Sequence, residues 1–186
     1  MSLWGLPDSA EIGGVRYPIN ADYRDVLEIF RYLDDPDQPE YIRWRIALAL
    51  FYEGEIPPQH RQEAMEYLAE FMACGEKNAR PGPKLLDWEQ DAQVIVADVN
   101  KVAGTEIRAL PFLHWWTFMA WFNAIGEGQL STLVSLRDKL SRGKKLEKWE
   151  QEYYRKNKSR VDLKKRYSAE DLAEQERLKK LLSGGS

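Results

Sequence analysis

The sequence predicts a mainly α fold, a compact helical bundle with a short N-terminal β-hairpin. Apolar residues recur at helical spacing in successive segments from Ala21 to Asn157, Pro and Gly punctuate the ends of those segments, and a Gly13-Gly14 pair separates two short apolar stretches. At 186 residues the chain is long enough to bury a hydrophobic core without a metal or disulfide staple.

The elements follow in order. Gly13 and Gly14 both accept positive φ, so Ala-Glu-Ile and Val-Arg-Tyr-Pro-Ile read as a hairpin with a two-residue turn, Pro18 confining the second strand to an edge. A first helix starts at Ala21 with Asn20 as N-cap, carries Tyr23, Leu27, Phe30 and Leu33 on one face, and stops at Asp34-Asp35-Pro36. A second runs from Pro39 to Glu53 on Ile42, Ile46, Ala49 and Leu50. A third runs from Pro57 to Cys74 on Met65, Leu68 and Met72, its Pro-Pro start suiting a first turn that needs no N–H. Gly75 to Pro83 is the best break, which divides the chain into an N-terminal unit over residues 1–75, a helical core over 84–160 and a charged C-terminal helix with a frayed tail over 161–186.

In the core, a fourth helix from Asp87 to Ala103 gathers Trp88, Ala92, Ile95, Val96, Val99, Val102 and Ala103 on one face, with Asp87, Asp91 and Asp98 along its edge and Gly104 as C-cap. Pro111 opens a fifth helix that ends near Gly126. A sixth spans Leu130 to Ser141 and finishes at Gly143, and a seventh spans Leu146 to Asn157 on Leu146, Trp149 and Tyr153. Ser168-Ala-Glu-Asp171 resembles a capping box for a last helix, and Ser183 to Ser186 should fray. Neither an internal repeat nor a low-complexity tract appears.

Composition narrows the function. Cys74 has no partner for an internal bridge and no basic segment precedes an N-terminal apolar run, so the expected location is the cytoplasm. The longest apolar stretch, Phe112 to Ile125, falls short of the roughly 20 residues of a membrane span and is interrupted by His114 and Asn123, so no membrane role is expected. The net charge of −3 conceals a split: residues 137–180 hold 16 Lys and Arg against 9 Asp and Glu, while the remainder holds 11 against 21. A positive tail and a negative body attract each other or meet different partners.

His114-Trp115-Trp116 has the ingredients of a pH-tuned acid or a stacking platform, but Trp115, Phe118, Met119 and Phe122 share one helical face while Trp116, Ala120 and Trp121 cover much of the rest. A helix apolar nearly all round belongs in a core or an interface, with His114 satisfying a buried polar group. Two distant His and one Cys offer no transition-metal spacing, so no metal or cofactor is expected. Asp87, Asp91 and Asp98 could hold a hard cation or do acid/base work. No glycine-bearing loop or nucleophile accompanies them, so pairing with Arg137 and Lys139 on the sixth helix is the better reading. Phosphate-cradling loops, dinucleotide fingerprints and serine elbows are absent. Cations and aromatics from Arg142 to Arg160 resemble a nucleic-acid surface, yet Asp138, Glu147, Glu150 and Glu152 lie among them, which favours a solvated helix with internal ion pairs.

Leu86-Asp-Trp-Glu-Gln-Asp91, Val99-Asn-Lys101, Leu113-His-Trp-Trp-Thr-Phe118, Leu136-Arg-Asp-Lys139 and Gly143-Lys-Lys-Leu146 together resemble the bacteriophage "gene product fifteen" family of tailed phages and prophages. The resemblance spans about Gly14 to Val161 and is strongest from Asp87 to Lys158; Gly14-Val-x-Tyr-x-Ile-Asn20 and Asp22-Tyr-Arg are similar to the family's opening. It implies no enzymatic activity. Members are encoded beside tail-tube and tape-measure genes, which implies a tail-assembly chaperone that covers the tape-measure protein, with homo-oligomers as a further expectation. The residues expected to meet partners are Trp115, Trp116, Trp121, Arg137, Lys139, Lys144, Lys145, Trp149 and Tyr153. A nucleic-acid module built on residues 142–160 and a minor structural tail component are the alternatives.

Overall fold

The computed structural model describes residues 4–76, 82–164, 166–174 and 177. It is mainly α, with one antiparallel hairpin at its N-terminal end. Strands β1 (Ser9–Ile12) and β2 (Val15–Pro18) pair in a register that sets Ser9 opposite Pro18 and Ile12 opposite Val15. The connecting Gly13 and Gly14 have φ of 58° and 76°, the doubly left-handed turn that matches strand twist. Gly13 also lies so close to His60 that a Cβ there would sit 2.6 Å from the imidazole, and its N–H donates to Glu63 Oε2 at 2.9 Å. The hairpin tip is thereby fixed on the third helix.

Helix α1 (Tyr23–Leu33) begins two residues later than expected. Asp22, not Asn20, is its N-cap: Asp22 Oδ1 accepts the Arg24 N–H at 2.9 Å, whereas Asn20 gives its amide to the Leu50 carbonyl at 2.7 Å. The stripe is rotated as well. Val26 and Ile29 are buried beside Tyr23, and Leu27, Phe30 and Leu33 are half-buried, because α1 packs against two helices. Helix α2 (Glu40–Phe51) buries Ala47, Leu48 and Phe51 in place of the expected stripe; Ile42, Ile46 and Leu50 flank the core and Ala49 is exposed. After a 3-10 turn at Pro58–His60, α3 (Arg61–Met72) buries Ala64, Leu68 and Phe71. The break at Gly75 to Pro83 lies largely outside the described residues.

Helix α4 (Ala92–Ala103) starts five residues later than expected. The Asp87 carboxylate takes the N–H groups of Glu89 and Gln90 at 3.1 and 2.9 Å, which winds residues 88–91 into a turn and swings Trp88 off the helix. Gly104 closes α4 in the left-handed conformation, φ 68°. Helix α5 (Trp115–Asn123) does not begin at Pro111, because the backbone on either side of His114 is used elsewhere. Tyr23 N–H donates to the Leu113 carbonyl at 2.9 Å and Trp115 N–H to that of Ala21 at 2.7 Å.

Helix α6 (Gln129–Ser141) ends at Gly143, φ 63°, and α7 (Lys148–Val161) runs past the expected stop at Asn157 through a non-helical residue there. Val161 is fully buried and gives the extension its anchor. Ser168 and Asp171 exchange capping hydrogen bonds at 3.2 and 3.0 Å, and residues 169–174 are helical, as the capping-box pattern predicts. The expected fraying at Ser183 to Ser186 lies outside the described residues. One buried cluster runs from Ala10 to Val161 and draws side chains from both sides of the Gly75–Pro83 break.

Candidate functional site

The aromatic helix is built into the core. Trp115 is 1% exposed and Phe118 likewise, and Tyr23 stacks on Phe118 with ring centroids 4.8 Å apart. Trp88 meets Trp115 at 5.9 Å and Phe122 at 5.3 Å, so the tryptophan displaced from α4 fills the space between α1 and α5. The two adjacent tryptophans have a second task. Their indole N–H groups donate to the Met72 and Phe71 carbonyls at 3.0 and 2.9 Å, which supplies a donor to the Met72 carbonyl at the end of α3 and a second one to that of Phe71, which also accepts the Cys74 N–H at 3.0 Å. Trp115 is therefore a core and capping residue, and Trp116 and Trp121 are half-buried against the same core.

His114 caps α5. Its Nδ1 accepts the Trp116 N–H at 3.0 Å, which places the proton on Nε2, and Nε2 donates to the Pro7 carbonyl at 3.0 Å. Burial pushes its pKa below the ordinary histidine value, against the opposing pull of the Pro7 carbonyl. The expectation that His114 satisfies a buried polar group holds. The imidazole has no ring nitrogen left to offer a substrate.

The three aspartates of the acidic edge are buried, at 6%, 1% and 2% exposure for Asp87, Asp91 and Asp98, and each has a different partner. Arg137, also buried, forms a bidentate pair with Asp91 through Nη1–Oδ2 at 2.6 Å and Nη2–Oδ1 at 2.9 Å. Its remaining donors reach the carbonyls of Val161 (2.7 Å), Arg160 (2.9 Å) and Leu85 (3.0 Å), so all five guanidinium N–H bonds are used. One side chain thus ties α6 to the start of α4, to the end of α7 and to the segment before Asp87. Asp98 reaches across to cap α6 by accepting the Leu130 N–H at 2.9 Å and takes Lys101 Nζ at 2.6 Å. Burial opposes ionisation of Asp98, but these two donors outweigh it and hold its pKa below the usual carboxylate range. Gly128 allows this approach: a Cβ there would lie 2.7 Å from Asp98 Oδ2.

Arg137 is therefore the partner of the acidic edge that the sequence indicates, and it is enclosed, away from any partner-facing surface. Lys139 is not the second one. It pairs with Glu150 of α7 at 2.6 Å, because residues two apart on a helix point in different directions. The hydrogen bond from Lys139 holds Glu150 below the usual carboxylate range.

Of the other residues expected to meet partners, Lys144 and Lys145 are exposed, Tyr153 is half-buried, and Trp149 is 55% exposed with its indole N–H on Glu147 at 3.1 Å. Leu140, 37% exposed, adds apolar surface at the same end of α6.

Sequence reasoning missed Asp22. It is 8% exposed, caps α1, receives the Arg24 guanidinium at 2.7 and 2.8 Å, and accepts the Leu113 N–H at 2.9 Å, so it joins α1 to the approach of the aromatic helix. Burial works against its charge, yet these donors keep its pKa lowered. The available signal was the Asp-Tyr-Arg triplet, in which an aspartate precedes the first apolar-periodic residue.

Among the described residues no cluster of His, Cys, Asp and Glu is arranged to hold a metal ion, and no helix is long and apolar enough to cross a membrane. No curated protein and no solved structure matches the chain. The family model described as Bacteriophage Gp15 protein matches residues 5–163, an interval that contains the hairpin, helices α1 to α7, the aromatic core and the Arg137–Asp91 tie. The chain belongs to the Bacteriophage Gp15 protein family.

Proposed function

We propose that this Gp15-family protein is a non-enzymatic tail-morphogenesis protein that acts in the host cytoplasm as a tail-assembly chaperone and binds the tape-measure protein. The observation that carries the reading is the saturation of the groups with the best claim to chemistry. His114, Asp91 and Arg137 spend their hydrogen-bonding capacity on backbone groups and on each other. The groups left at the surface suit binding: Trp149 and Leu140 are exposed at the α6–α7 end, beside Lys144 and Lys145. Aromatic and aliphatic side chains rimmed by cations fit an amphipathic helix with acidic flanks, the form in which a long helical client presents its apolar stripe before assembly.

Co-expression with the adjacent tape-measure product, followed by affinity purification of this chain, tests the proposal. Retention of the client that persists from low to moderate salt supports it, because apolar contact resists screening. Retention of nucleic acid in its place, lost steeply over the same salt range, would show that the exit segment binds phosphate and would overturn it.

A further inference from the structure

Beyond Val161 the chain turns back and lies along its own body. The Gln90 side chain donates to the Asp162 carbonyl and accepts the Lys164 N–H, both at 2.9 Å. Arg166 reaches Glu89 at 2.7 Å and Asp87 at 3.5 Å, and the Ala169 N–H, at the start of the final helical segment, donates to Asp37 Oδ1 at 2.6 Å. The seat is a groove between the end of α1, the 35–37 loop and the turn that holds Glu89, and a cleft of about 480 Å³, lined by these elements and by Arg166, Tyr167 and Leu172, stays open beside the arm.

Three observations show that this arm is an attachment to a body complete without it. Among the described residues none after Val161 belongs to the buried core, and the family match stops at residue 163. The contacts are mostly polar, and the apolar side chains of the arm stay open to solvent, Tyr167 38% exposed and Leu172 50%. Exposed ion pairs and hydrogen bonds of this kind hold weakly. Opposite charges meet across the contact where Arg166 of the arm lies on Asp87 and Glu89, and Asp37 takes a backbone N–H of the arm.

We propose that the groove is a docking surface for the C-terminal arm of a second copy of this chain, the intramolecular seat being its closed form. An arm that leaves one groove fits the same groove on a neighbour with every contact conserved, which is the low-cost route to self-association by exchange of an identical element. Arg137 grips the carbonyls of Arg160 and Val161, so the hinge lies after Val161 and the exchanged piece is short. Tethering keeps the arm at high effective concentration over its own groove, so exchange takes over when copies are crowded together. The inference concerns self-association alone and does not depend on the identity of any client.

Reciprocal charge reversal in the full-length chain tests it. Glu89→Arg and Arg166→Glu each set like charges against one another in the closed form, and both residues are exposed enough for the variants to fold. In a mixture of the two, each arm meets a matching groove only on the other variant. The expected result in sedimentation velocity is that each variant alone is monomeric while the equimolar mixture doubles in mass, at a concentration at least tenfold below that at which the unmodified chain associates, and that high salt reverses it. A mixture that stays monomeric wherever its components do would overturn the proposal. So would association of either variant alone to the same extent as the mixture, since the arm and groove would then not be the surfaces involved.

Discussion

Replacing Arg137 with Met removes the only cation among the described residues that reaches Asp91 and tests the structural role of the acidic edge. The substitution leaves a carboxylate in a site 1% exposed, still receiving the Asp87 N–H at 3.0 Å but no counter-charge, and it strips donors from the carbonyls of Leu85, Arg160 and Val161. Breaking a buried ion pair from one side costs about 3–5 kcal/mol, because the remaining charge is uncompensated. In a chain of this size each kcal/mol lowers the melting temperature by about 2–4 °C, so Arg137→Met should melt about 10 °C lower. Circular dichroism at 222 nm measures it. Arg142→Ala is the control: its pair with Asp138 is an i, i+4 contact with the guanidinium 58% exposed, and its loss should cost no more than about 0.5 kcal/mol. Adding Asp91→Leu to Arg137→Met removes the stranded charge and should recover part of the loss. If Arg137→Met melts like Arg142→Ala, the tie carries no weight and the account of the acidic edge is wrong.

Stability should fall as pH drops through the region below about 6.5, because burial lowers the folded-state pKa of His114 and the unfolded chain then binds the extra proton. The His114 contribution is thus fully present above the unfolded value and is lost on acidification; urea titrations across pH should show the slope, reduced in His114→Asn. Gly128→Ala should destabilise by about 1–3 kcal/mol, since the added Cβ displaces the Asp98 carboxylate from the Leu130 N–H it caps, and thermal melts will read the change. Trp149→Ala should leave the melting temperature nearly unchanged, as expected for an exposed side chain, while weakening client retention in a pull-down.

The parts of this architecture that depend on local period were legible in the sequence. Arg137 followed from the sequence as a partner of the acidic residues and pairs with Asp91, although Asp98 alone of the three lies within α4, Asp91 being its N-cap and Asp87 preceding it; Gly13-Gly14 fixed the hairpin turn, and Gly104 and Gly143 fixed helix ends. Errors arose where a distant segment decided between local options of similar merit. Asn20 and Asp22 are both good N-caps, and the choice rests on Asn20 bonding to Leu50 and Asp22 to Leu113, contacts 30 and 91 residues away in sequence. Pro111 suits a first helical turn, but the backbone of Leu113 and Trp115 is committed to α1. The buried faces of α1 and α2 were displaced because each packs on more than one neighbour, which a single periodic stripe does not encode. The seat of the C-terminal arm was invisible for the same reason: Arg166 meets Glu89 across 77 positions and Ala169 meets Asp37 across 132.

Hydrogen exchange of the full chain with and without the purified tape-measure protein probes the binding account at its centre. The account predicts new protection over the exit of α6 and the first turns of α7, around Leu140 to Tyr153, with the already buried aromatic helix unchanged. Protection confined to α5, or no protection anywhere, would contradict it.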